Sequence, residues 1–105
     1  MAHYLVRARP RPDRLEDLQA WLQSGEIAQM EPFGTTLQHS LENARLDTEG
    51  FALWEEEDYC RPPLAQERAA VLDDYFTHLT VEPVEPETGW REISHLPRLW
   101  VKGRP

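Results

Sequence analysis

Cysteine is nearly missing: Cys60 stands alone among 105 residues, so no intrachain disulfide can form. A reducing compartment fits that usage, and a cytoplasmic location is the expectation. The start, Met-Ala-His-Tyr-Leu-Val-Arg, lacks the charged head, long apolar centre and cleavage site of a secretory signal. Long apolar runs are absent too, and nothing approaches the roughly 18 residues of a membrane span. Positive charge is scarce: 11 Lys and Arg face 19 Asp and Glu, for a net charge of −8. That balance argues against nucleic acid and anionic membranes as partners, because both reward clustered basic charge. The five glycines, at 25, 34, 50, 89 and 103, build neither a P-loop nor a dinucleotide fingerprint. His3, His39, His78 and His95 are scattered, and neither His-Glu-x-x-His nor Cys-x-x-Cys occurs. No cofactor and no metal ion is therefore expected from motifs.

What is present is enough for one globular domain. The AVILMFWYC set makes up 40% of the chain, and the length allows a single modest core. His3 to Arg9 alternates, with Tyr4, Val6 and Ala8 on one side and Leu5 and Arg7 on the other. That period reads as a strand, which Pro10 and Pro12 end. Asp13, with Glu16 three residues on, predicts a capped helix from Asp13 to Ser24 carrying Leu15, Leu18, Trp21 and Leu22 and stopped by Gly25. Thr35 to Arg45 and Phe51 to Asp58 read as two further strands joined by the polar turn Leu46 to Gly50. Pro62 and Pro63 open a second helix to Phe76, whose inner face is read as Leu64, Arg68, Val71, Leu72, Tyr75 and Phe76. His78 to Pro83 forms the last strand. Residues 1–88 are read as the domain. Residues 89–105 are read as a docking tail, because Trp90, Ile93, Leu96, Leu99 and Trp100 are too apolar to be left exposed.

The order strand, helix, strand, strand, helix, strand predicts an α+β chain of ferredoxin-like pattern. Two helices would cover one face of a four-stranded antiparallel sheet ordered 4-1-3-2. Parity puts Tyr4, Val6, Leu37, His39, Leu41, Phe51, Leu53, Leu79 and Val81 under the helices. The open face would carry Leu5, Arg7, Gln38, Ser40, Glu42, Trp54, Glu56, Asp58, His78, Thr80, Glu82 and Val84. Two readings stand for that face. One is a solvated set of cross-strand charges, each pair worth roughly 0.2–1 kcal/mol. The other is a ligand pocket drawn from Arg7, Ser40, Trp54, Glu56, His78 and Glu82, in which Arg7 holds an anionic group and Glu56, Glu82 or His78 moves protons. The run Glu55-Glu56-Glu57-Asp58 is read as a solvated strand end, since alternation separates its carboxylates. Cys60 beside Arg61 is read as inert, because no histidine base accompanies it.

Leu22-Gln23-Ser24-Gly25-Glu26-Ile27 with Pro32-Phe33-Gly34, and Tyr75 to Val84, resemble passages of YciI-like proteins. These belong to the dimeric α+β barrel superfamily, and the likeness covers about residues 3–86. It implies a homodimer whose two sheets enclose a cavity. A first-helix histidine belongs to that family's pattern, and Arg14 to Leu22 contains none. The family's acid–base role therefore does not carry over. The expectation is a homodimeric protein binding a small, partly apolar or anionic ligand. The alternative is a small cofactor-independent enzyme, of isomerase, lyase or monooxygenase type, using Arg7 with Glu56 or His78.

Overall fold

The structure, a computed structural model, describes residues 2–100. Strand β1 (Ala2–Pro10) leads through a 3-10 turn to helix α1 (Leu15–Ser24) and then helix α2 (Gly34–Glu42). The short strand β2 (Arg45–Leu46) turns into β3 (Ala52–Asp58). One continuous helical segment follows: α3 (Ala65–Glu67), a π-helical stretch (Arg68–Leu72) and α4 (Asp73–Tyr75). Strand β4 (Phe76–Val84) and helix α5 (Thr88–Ile93) complete the chain. The sheet is antiparallel, ordered β2-β3-β1-β4, as the sequence predicts. The architecture is α+β and consistent with a ferredoxin-like fold, but its β-α-α-β-β-α-β order departs from the strict pattern.

Several expectations are corrected. Thr35 to Glu42 is helix, not strand. Gly34, Leu37, Ser40 and Leu41 are the buried positions there, and His39 is exposed. Their spacing follows the helical period, whereas Leu37, His39 and Leu41 alone imitate a strand. His39 thus lies outside the core, beside Asn43 and edge-on to Trp90. Helix α1 starts at Leu15, after Pro12–Arg14 has formed the 3-10 turn, and no side chain caps it. Its end is as expected: Gly25 takes φ 81° and donates its N–H to the Leu22 carbonyl.

The parity of β3 is also reversed. Trp54 pairs with Val6 and Glu56 with Tyr4, so Trp54, Glu56 and Asp58 lie on the helix-covered face. Leu53 and Glu55 share the reverse face with Arg7 and Leu5. Burial along β3 is nearly continuous, so apolar alternation could not set its facing. In β4 a bulge separates the pairs Arg7↔Thr80 and Arg9↔Thr77, and His78 inside it takes φ 53°.

The main core joins Val6, Ala8, Ala52 and Trp54 of the sheet to Leu18 and Leu22 of α1, Leu37 and Leu41 of α2, and Leu64, Val71 and Leu72 of the third helical segment. Up to Trp100 the tail docks on its own chain, and residues 101–105 of the expected tail lie outside the described residues. Leu99 is buried in the same core, and Trp100 donates its indole N–H to the Leu41 carbonyl at 2.7 Å. Helix α5 lies on the reverse face of β3, where Gly89 packs against the Glu55 side chain. Among the described residues no helix is long and apolar enough to cross a membrane.

Candidate functional site

The residues singled out from sequence fall in different places. Arg7 lies on the reverse face, where the β2–β3 turn engages it. Its Nη2 stands 2.6 Å from Glu49 Oε1 and its Nε 3.5 Å from Asp47 Oδ2. Its guanidinium also stacks 3.5 Å over the Phe51 ring. Glu82 pairs with Leu5, and Thr80 is the residue opposite Arg7. His78 is exposed in the bulge, with Nδ1 3.0 Å from Thr77 Oγ1. Ser40 is buried and donates its hydroxyl to the Glu55 main-chain carbonyl at 2.9 Å. That bond serves a β3 carbonyl beyond the reach of β2, which pairs only with Ala52 and Leu53. Only Trp54 and Glu56 meet: the indole N–H donates to Glu56 Oε1 at 2.9 Å.

The acidic run is not a solvated strand end. Glu55, Glu56 and Asp58 are all buried, and only Glu57 is half-buried. Two separate devices result. On the reverse face, Glu55 receives helix α5. Its Oε1 accepts the Trp90 N–H at 3.1 Å, and its Oε2 accepts the Glu87 N–H at 2.9 Å and lies 3.0 Å from His3 Nδ1. Burial raises the Glu55 pKa, but these bonds more than offset it, so the group sits below its ordinary value.

On the helix face, Glu56 and Asp58 meet Glu67 of α3. Asp58 Oδ2 accepts the N–H groups of Cys60 at 3.1 Å and Leu64 at 2.7 Å, which ties the end of β3 to the start of α3. Burial raises its pKa, yet the N–H bond of Leu64 and a contact from Glu67 bring it below the ordinary value. Glu67 is wholly buried, and among the described residues its carboxyl oxygens and Glu56 Oε2 find no hydrogen-bond partner outside the acid cluster; within it Glu67 shares hydrogen bonds with Asp58 and Glu56. Among the described residues no ion pair reaches Glu56, Asp58 or Glu67. Burial, followed by the neighbouring Asp58, raises Glu67 to about 7. Burial and the adjoining Glu67 push Glu56 well above the carboxylate range. Asp58, Cys60 and Glu67 bring one ligand atom each to within 4.8 Å of one another.

Glu67 is the residue that sequence reasoning missed. The inner face of the second predicted helix was assigned to Arg68, but Arg68 is exposed and pairs with Asp73, and Glu67 points inward. The π-helical stretch that begins at Arg68 accommodates an extra residue and breaks the regular spacing. The available signal was the three-residue step from Leu64 to Glu67, which puts an acid on the apolar stripe. A separate hollow of about 480 Å³ is lined by Ala28, Gln29, Met30, Glu31, Pro32 and Thr35, and shares no residue with this cluster.

The fold and site together define an α+β protein with an antiparallel sheet and a buried carboxyl cluster at the junction of β3 and α3. Comparison with protein-family models, curated proteins and solved structures finds no match to this chain.

Proposed function

We propose that this is a small binding protein, without catalysis of its own, whose ligand is a cation held at Glu56, Asp58 and Glu67. The observation that carries this is Glu67: a carboxyl group with no exposed surface whose only side-chain partners among the described residues are two other buried acids, with no cationic side chain paired to them. Burying like-charged groups together is costly, and a positive ligand offsets that cost directly. The cationic reading takes precedence over the anionic ligand expected at Arg7, because the Arg7 charge is already engaged by Asp47, Glu49 and the Phe51 ring.

Native mass spectrometry of freshly purified protein tests this. A retained cation that is lost in Glu67→Gln supports it. An anionic ligand, or a cation retained equally by that variant, rejects it. The homodimer and the YciI-like relationship belong to the same proposal. Helix α5 covers the β3 side of the reverse face, so a second copy would meet β1 and β4 there, at Leu5, Thr80 and Glu82. Light scattering that reads the 12.3 kDa single chain at high concentration removes the dimer.

A further inference from the structure

The carboxyl cluster has a thiol at its edge. Resting on the cation-binding reading above, we propose that Asp58, Cys60 and Glu67 form a site for a divalent transition-metal ion of the zinc class.

Geometry comes first. The three side chains come from the end of β3, the loop after it and the first turn of α3, and their ligand atoms all lie within 4.8 Å of one another. Metal–ligand bonds of about 2.0–2.3 Å span that spread after modest side-chain rotation. Asp58 is held in place by the Cys60 and Leu64 N–H groups on Oδ2, and an ion would take the place of the proton it shares with Glu67. Glu67 offers two oxygens that no N–H group of another described residue claims, since its only side-chain partners are the carboxyls of Asp58 and Glu56. Cys60 is half-buried between the exposed Tyr59 and Arg61, so an ion enters from solvent on that side.

The donor chemistry then selects the ion. Calcium and magnesium take oxygen donors only, whereas a thiolate beside carboxylates suits borderline ions such as Zn²⁺ or Co²⁺. As the metal–ligand bonds form, the Cys60 thiol proton and the proton shared by Glu67 and Asp58 are released to solvent. Three protein ligands leave a fourth, tetrahedral position for water or a further ligand. Within the cation cluster proposed above, Glu56 positions Glu67 and does not ligate: Trp54 fixes its Oε1, and its carboxyl hydrogen-bonds Glu67.

The test is titration of the full metal-free chain with Co²⁺ and Zn²⁺, and in parallel with Mg²⁺ and Ca²⁺, followed by optical absorption and native mass spectrometry. One Co²⁺ per chain is expected, with a thiolate-to-cobalt charge-transfer band that Zn²⁺ abolishes. Cys60→Ser should lose the band, and Cys60→Ser and Glu67→Gln should each weaken binding by about 10-fold or more. Circular dichroism checks that both variants fold, and Cys60→Ser removes no bond that the fold uses. Co²⁺ binding without the band and unchanged in Cys60→Ser, or equal affinity for Mg²⁺, overturns the transition-metal site but leaves a cation site standing. Failure of every ion and every retained cation overturns both.

Discussion

Trp54 Nε1 stands 2.9 Å from Glu56 Oε1, two residues along the same face of β3. The largest fully buried side chain of the core thus supplies the one N–H hydrogen bond that Glu56 receives among the described residues. Both residues belong to the core and to the carboxyl cluster, so packing and chemistry are coupled at this strand.

Trp54→Phe separates the two contributions. The ring still fills space against Phe76, whose centroid lies 5.3 Å away, but Glu56 loses its donor. A loss of about 1–3 kcal/mol is expected, the cost of an unsatisfied buried polar group. Trp54→Ala should cost more, about 3–5 kcal/mol. Chemical denaturation measures both: no loss in Trp54→Phe would show that the hydrogen bond contributes nothing, and equal losses would show that the ring packing adds nothing to it.

Glu67→Gln should stabilise the metal-free protein at neutral pH. A neutral amide keeps the shape, removes a buried like charge and can donate to Asp58. A gain of about 1–3 kcal/mol is expected. A loss of stability in the same denaturation assay would count against the packing of these acids.

Glu55 makes stability depend on acid. Its folded pKa lies below the ordinary 4.5, so the carboxylate binds its proton more readily in the unfolded chain. The stability it contributes is complete above pH 4.5 and is lost as pH falls through the folded value. His3 faces the same carboxylate at 3.0 Å and supports its charged form. Glu55→Gln should flatten this acid limb, as read by denaturation midpoints across a pH series.

Gly89→Ala should loosen α5. A Cβ there would come within 2.9 Å of Glu55 Oε1 and 3.3 Å of Glu55 Cβ. Packing against a buried, fully bonded carboxylate leaves little room to relax, and a loss of about 1–3 kcal/mol is expected. Limited proteolysis should then cut within the tail before the rest of the chain.

Arg7→Gln should have little effect on stability. The side chain is more than one-third exposed and its closest partner, Glu49, is largely so. Such pairs are worth about 1 kcal/mol or less. Chemical denaturation checks this, and a larger loss would mark Arg7 as a structural anchor of the β2–β3 turn.

The local patterns were sound guides where one face alone is buried. The alternation from His3 to Arg9, the Gly25 stop of α1 and the polar turn closed by Asp47 and Gly50 all depend on neighbours in the chain. The α+β class was legible from the element pattern, and the β2-β3-β1-β4 order from the ferredoxin-like pattern, although its second strand is only Arg45–Leu46. The facing of β3, the inward turn of Glu67 and the helical state of Thr35 to Glu42 were decided otherwise. Helices cover one side of β3 and α5 covers the other, so its residues carry no alternation to read. A π-helical stretch moves Arg68 off the inner face and leaves Glu67 there. The sequence by itself determined an acidic chain with one lone thiol. The tertiary structure decided that Asp58, Cys60 and Glu67 meet, because burial and charge proximity arise between segments that only folding brings together.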